Sequence, residues 1–297
     1  MEFVLKTEGL TKIYSGSKAV DNVSLTVKPG DIYGFVGKNG AGKTTFIRMI
    51  LGLSPVSEGE FKLFDGEDLR TARRRIGSLV EGPALYKNMT ARNNLELYCT
   101  MLDVDRSCVE PILKTIGLSE TGKKKTKDFS LGMKQRLAIG MALVGDPELL
   151  VLDEPINGLD PKGIVEIREL LLALKEKGKT IFISSHILGE LEKLATRYGI
   201  ISNGKLIEEI TQEELKRICV AKTLVKTSDP EKAKKIAVRV LDSEDITIRD
   251  DVLVINKIIE NIGELTNEMF KENIIVSGIT TDDSGAEEYF INKMEEG

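Results

Sequence analysis

Apolar residues follow two spacings along the chain, and the changes between them mark its parts. Short apolar runs bounded by turn residues predict strands at 3–10, at 23–27 before Pro29-Gly30, at 32–36, at 59–64 before Asp65-Gly66, and at 76–80, which ends at Glu81. Between them, Phe46-Ile47-Arg48-Met49-Ile50-Leu51 follows a glycine-rich stretch and reads as a helix. From Pro83 to about Gly145 the rhythm is helical, with Leu95, Tyr98, Met101 and Leu102, then Leu137, Met141 and Val144, recurring at threes and fours. Leu149-Leu150-Val151-Leu152 is apolar throughout, as in a parallel strand buried on both faces, and 180–186 reads as a second buried strand. Asp160-Pro161 opens the helix between them, an N-cap followed by proline, with Ile164, Ile167, Leu171 and Leu174 as its buried stripe until Gly178. A hairpin follows at 198–208 around Asn203-Gly204.

Thr211-Gln212-Glu213-Glu214 is a capping box opening a connecting helix. Beyond it the order is strand 222–226, helix 230–240, strands 246–249 and 252–255, helix 258–270, strand 274–279 and helix 286–294. That βαββαβ order plus a helix predicts a small α+β, ferredoxin-like domain with no catalytic constellation. A dimer or regulatory contact and a simple packing appendage both fit it. The expected division is 1–218, with a helical subdomain at about 83–145, and 219–297.

The chemistry concentrates in Gly37-Lys38-Asn39-Gly40-Ala41-Gly42-Lys43-Thr44-Thr45, between a strand and a helix. Such a loop curls its N–H groups inward to cradle phosphates; its lysine reaches the β/γ-phosphates and its first threonine is placed to hold Mg²⁺. The dipole of the helix that begins there adds to the attraction. Asp153 and Glu154 end the apolar strand, where buried charge needs a partner or a metal. Asp153 suits a Mg²⁺ shell and Glu154 suits orienting and deprotonating a water; exposed strand-end acids are the plainer reading. His186, the only histidine, stands where a strand tip would meet a γ-phosphate. Ser130 caps a helix at 130–136, and that helix start is either capping alone or a second anion site. Tyr14 is either packing or a purine-stacking ring.

Composition adds exclusions. The chain has 297 residues, 41% apolar and 30% charged, with a net charge of −5, so nothing global favours nucleic acid. The basic runs Arg73-Arg74-Arg75 and Lys123-Lys124-Lys125 read as solvated faces. Cys99, Cys108 and Cys219 lack CxxC spacing and fit a reducing cytosol rather than a metal site. No apolar run approaches a membrane span and no signal-peptide layout opens the chain.

These elements in this order resemble the nucleotide-binding subunit of an ATP-binding cassette (ABC) transporter over about residues 2–215. On that resemblance Tyr14 is similar to the adenine-stacking aromatic and 37–45 to the Walker A loop. Glu81 takes the Q-loop position, Ser130-Leu131-Gly132-Met133 the signature, Asp153-Glu154 Walker B, Gly158-Leu159-Asp160 the D-loop and His186 the switch histidine. Phe129 and Leu131 depart from the usual Leu-Ser-Gly-Gly-Gln, and Glu81 replaces the usual glutamine. Both departures resemble the bacitracin- and lantibiotic-type branch, whose members protect bacteria from cationic peptide antibiotics.

The resemblance implies a P-loop α/β cassette with a parallel core sheet, an antiparallel β subdomain and a helical subdomain. It also implies hydrolysis of ATP with Mg²⁺ held by Thr44 and Asp153, Glu154 acting on the water, and His186 steadying the γ-phosphate. Glu81 is expected at the Mg²⁺ and the water, as a ligand or as a proton acceptor. A second copy would bind head to tail, its Ser130 and Gly132 facing the nucleotide on Lys43, and a separate membrane permease would dock near 81–94. The protein would then sit at the cytoplasmic face of the membrane, soluble when isolated. A GTPase or small kinase is disfavoured by the lack of an Asn-Lys-x-Asp motif. An exporter ATPase for another cargo, a soluble cassette ATPase and a nucleotide sensor remain as rivals.

Overall fold

The computed structural model describes residues 1–219, 222–243, 245–257, 259, 261–282 and 285–296. Two compact units emerge, Met1–Gln212 together with the chain from Phe290 onward, and Glu213–Tyr289.

The first unit begins with β1 (Leu5–Tyr14) and β2 (Ser17–Val27), then β3 (Ile32–Val36), α1 (Lys43–Ile50), β4 (Glu58–Leu63), α2 (Leu69–Arg73) and β5 (Ile76–Leu79). The predicted helical insert is three helices, α3 (Ala91–Leu102), α4 (Val109–Thr115) and α5 (Leu131–Ala142), joined by short 3₁₀ turns. It starts at Ala91 rather than Pro83. The buried positions of α3 are Ala91, Asn94, Leu95 and Cys99, whereas Met101 and Leu102 are exposed, contrary to the predicted stripe. Then come β6 (Leu149–Asp153), α6 (Pro161–Glu176), β7 (Thr180–Ser185), α7 (Leu188–Glu192), β8 (Arg197–Ser202) and β9 (Lys205–Thr211).

Six strands form one sheet in the order β5-β6-β7-β3-β8-β9, parallel except for β9. Strands β3, β6 and β7 are buried at every position, as their apolar runs predict. A separate antiparallel sheet, β2-β1-β4, accounts for the alternating early strands. Between the layers the rings of Tyr33, Phe35, Phe46 and Phe182 meet at centroid distances of 4.9–5.8 Å. This aromatic cluster fixes α1 beneath the central strand β3, and so fixes the loop between them. Arg75 is not a solvated charge: it donates to Glu148 and Glu67 and lies 4.0 Å over the Phe64 ring. The Phe290 ring meets that of Tyr198 at a tilt of 55° with centroids 5.2 Å apart, and the Ser202 hydroxyl donates to the Met294 carbonyl at 2.9 Å.

Helix α8 (Gln212–Ile218) leads to β10 (Lys222–Thr227), α9 (Pro230–Leu241), β11 (Ile246–Arg249), β12 (Val252–Ile255), α10 (Ile262–Lys271), β13 (Val276–Asp282) and α11 (Gly285–Glu296). Their sheet is antiparallel throughout, in the order β11-β12-β10-β13. Val225, Ala237, Leu253, Ile255, Leu265 and Met269 form its core. Helix α10 begins at Ile262, not 258, and residues 258 and 260 of that expectation lie outside the described ones. Among the described residues no helix is long and apolar enough to cross a membrane.

Candidate active site

The loop 37–42 leaves the carboxyl end of β3 and turns into α1. Two of its glycines are required by close approach. A Cβ on Gly37 would stand 2.6 Å from the Ile201 carbonyl, and one on Gly42, at φ +107°, 2.5 Å from that of Ala19. Gly42 is also the N-cap of α1 and offers no side chain, so the first-turn N–H groups keep their capacity for an anion. Ala41 is buried, its N–H bonded to the Lys38 carbonyl. Asn39, Gly40, Gly42, Lys43, Thr44 and Thr45, with Glu154, line a cleft of about 200 Å³. Lys43 folds back into the loop, donating to the Gly37 carbonyl at 2.7 Å and the Lys38 carbonyl at 3.2 Å.

The two carboxylates at the end of β6 face different partners. Asp153, 5% exposed, accepts from the Thr44 hydroxyl at 2.8 Å through Oδ2 and from the Ser184 hydroxyl at 2.5 Å through Oδ1. Ser184 is its register partner in the β6–β7 ladder. Glu154 sits at φ +49°, an unfavourable conformation for a residue with a Cβ, and this turns its side chain away from that of Asp153. Its N–H donates to both the carbonyl and the hydroxyl of Ser184, each at 3.1 Å, which holds the strained turn. Glu154 Oε2 lies 2.8 Å from His186 Nδ1 and Oε1 lies 3.2 Å from Lys43 Nζ. The Oε1 contact is an ion pair without hydrogen-bond geometry, leaving Oε1 buried and with acceptor capacity to spare.

Two rows therefore converge on the phosphate loop: Lys43, Glu154 and His186, and Thr44, Asp153 and Ser184. The first combines a phosphate-binding cation with a carboxylate and an imidazole suited to moving a proton. The second gathers hard oxygen donors suited to a small divalent cation.

The signature start is built separately. The Ser130 hydroxyl accepts the Met133 N–H at 3.2 Å as N-cap of α5, and Asp160 accepts the Gly163 N–H at 3.0 Å as N-cap of α6. The two caps adjoin: Leu131 reaches toward Gly158, and Gly132 faces Gly163 and Leu159. Among the described residues, the hydrogen bonds and ion pairs of the loop do not include Ser130, Gly132 or Asp160.

Glu81 and Tyr14 have partners of their own. Glu81 is not gathered with Asp153 and Glu154; its side chain is 61% exposed, its backbone takes φ +60°, and its partner is the Arg48 guanidinium on α1. A charged terminus that a neutral amide lacks finds the nearest fixed cation. The Lys12 ammonium lies 4.9 Å from the centroid of the exposed Tyr14 ring, and the Tyr14 hydroxyl meets Ser54 Oγ at 3.2 Å. Ser184 and Arg48 escaped the sequence reading. Ser184 had a signal, a hydroxyl directly after the buried apolar run Ile181-Phe182-Ile183; Arg48, one arginine on a helix, had none.

The family model described as ABC transporter matches residues 20–157. The chain is 43% identical to the bacitracin transport ATP-binding protein BcrA of Bacillus licheniformis over 98% of this chain and 97% of that one. It is 45% identical to the lantibiotic transport ATP-binding protein SrtF of Streptococcus pyogenes over 69% of this chain and 90% of that one. A solved ATP-binding subunit of an ABC transporter superposes with TM-score 0.64 at 30% identity, over 72% of this chain and 92% of its own. The cassette MJ0796, in a dimeric post-hydrolysis state bound to ADP and Pi, superposes with TM-score 0.63 at 28% identity, over 70% and 98%. With a strand-loop-helix phosphate site, paired strand-end carboxylates and identity along nearly the whole length, the chain belongs to the ATP-binding proteins of ABC transporters, ATPases that hydrolyse ATP to power transport.

Proposed function

We propose that this ATPase powers export of, or protection against, peptide antibiotics of the bacitracin and lantibiotic class through a membrane permease on a separate chain. The observation that carries the reading is the match to BcrA along 98% of the chain, tail included, rather than over the cassette alone. Glu81 and the Ser130-Leu131-Gly132-Met133 signature support the same branch.

In this reading the loop N–H groups, Asn39 to Thr45 and the α1 terminus bind the triphosphate. Lys43 exchanges Glu154 and the loop carbonyls for phosphate oxygens. That exchange frees Glu154 to take the proton of the attacking water while the His186 ring holds its other oxygen. The Thr44 hydroxyl and the Asp153 carboxylate, hard donors 2.8 Å apart, suit Mg²⁺, which when bound would offset phosphate charge. Tyr14 would stack on the base.

A second copy would present Ser130, Gly132 and Met133 to that nucleotide, with Asp160 at the same seam; the exposure of Ser130 and Asp160 supports this. The protein would then be peripheral to the cytoplasmic face of the membrane. The tail is read as a ferredoxin-like accessory domain, because β11-β12-β10-β13 is the split order in which β12 lies between the two strands joined by α9. The ATPase domain would span about 1–218 and the accessory domain about 219–297.

Purified Glu154→Gln protein tests the enzymology. Turnover should fall about 100-fold or more while nucleotide binding persists and ATP drives dimerisation; undiminished turnover refutes the role given to Glu154. Expression with its co-purifying permease should raise the bacitracin or lantibiotic concentration that cells tolerate, and Glu154→Gln should abolish the gain. An active ATPase that gives no protection points to another cargo.

A further inference from the structure

The helical insert contains a pair of thiols that the ATPase chemistry does not use. Cys99 lies fully buried in the last turns of α3, and Cys108 lies half-buried just before α4. Helix α3 stops at Asp103, which takes φ +55° and reverses the chain. The short 3₁₀ turn after it carries Cys108 back beside Cys99, with the two Sγ atoms 3.5 Å apart. Nine residues of separation hide this pairing from any motif search.

The two thiols are unequal. The Cys108 S–H donates to the Asp105 carbonyl at 3.3 Å, so the bond between the sulfurs is donated by Cys99. Cys108 also borders a cleft of about 390 Å³ lined by Pro111, Ile112, Leu143 and Leu174, which gives a small molecule access to its sulfur. Burial and the neighbouring sulfur push the Cys99 thiol up to about 11, so Cys99 keeps its proton at neutral pH.

We propose that Cys99 and Cys108 are a redox-active dithiol that closes reversibly to a disulfide, with Cys108 reacting first and Cys99 resolving. The co-reactant is a small-molecule disulfide of the glutathione class. The Cys108 thiolate attacks one of its sulfurs and expels one thiolate, leaving a mixed disulfide at Cys108. The Cys99 thiol gives up its proton and attacks Cys108 Sγ, expelling the second small thiol. Two protein thiols and one disulfide thus become one protein disulfide and two small thiols. The sulfurs need to close from 3.5 Å to a bond of about 2 Å. The bond would tie α3 to the start of α4, within the subdomain whose α5 begins beside Ser130.

Full-length protein is titrated with oxidised glutathione and its peptides are weighed without reduction. The proposal expects one 99–108 cross-linked product, two hydrogens lighter than the dithiol and restored by dithiothreitol. Cys99→Ser should stop at a stable glutathione adduct on Cys108, while Cys219→Ser should behave as wild type. A stable adduct on Cys108 in wild type, or both thiols still free once Cys219 has reacted, overturns it. The wild-type map needs no variant to fold.

Discussion

The Ser184 hydroxyl donates to Asp153 Oδ1 at 2.5 Å and accepts the Glu154 N–H at 3.1 Å, so one serine holds both the Asp153 carboxylate and the backbone turn at Glu154. Ser184→Ala should cost about 1–3 kcal/mol of stability, because a buried carboxylate oxygen loses its donor. It should also raise the Mg²⁺ concentration needed for half-maximal turnover. Thermal unfolding and a Mg²⁺ titration of ATPase rate check both; unchanged Mg²⁺ dependence would leave Ser184 a purely structural residue.

Arg48 and Glu81 join α1 to the chain after β5. Glu81 is exposed and Arg48 only half-buried, so Arg48→Gln should destabilise by less than about 1 kcal/mol. If the pair sets the position of Glu81, Arg48→Gln and Glu81→Gln should alter turnover in the same direction, and the double variant no further than either single one. Additive effects in that cycle would mean that Arg48 does not position Glu81.

Tyr14 carries Lys12 near its ring, which leaves the other face for a purine. Tyr14→Ala should weaken ATP binding by about 1 kcal/mol or more, roughly fivefold or greater, whereas Tyr14→Phe should bind as wild type. Titration with a fluorescent ATP analogue reads both; equal binding by all three proteins removes Tyr14 from the site.

Arg75 holds Glu148 through two hydrogen bonds, at 2.6 and 2.8 Å, and thereby keeps its carboxyl below the usual range. A depressed folded value stabilises the protein above the unfolded value of about 4.3, and that gain is lost as pH falls through the folded one. Glu148→Gln should therefore lower stability by about 0.5–1 kcal/mol at pH 7, the half-exposed pair being partly screened. The difference should vanish in acid and shrink in high salt. Denaturant melts at both pH values check this; a difference independent of pH would show that the charge is not what matters.

Much of the site was legible because its chemistry is local. Residues 37–45 are contiguous, and Asp153-Glu154 end a strand whose unbroken apolar run declares it buried. The strands 246–249 and 252–255 were placed to the residue, because β-branched runs flank a turn of two aspartates. The helical insert was less legible at its edges. Helix α3 begins after Thr90, whose hydroxyl caps it by accepting the Asn93 N–H, and Asn94 ties its first turn back to Tyr86 through two hydrogen bonds.

The sequence alone determined the order of elements, the phosphate loop, the carboxylate pair and the family, since each depends on residues adjacent in the chain or on periodicities of two and 3.6. Only the tertiary structure decided which distant side chains meet. It set Ser184 against Asp153, Glu154 between Lys43 and His186, Glu81 on Arg48, and Cys99 beside Cys108. Those partnerships depend on strand register and helix packing, and neither is written in the spacing of any one segment.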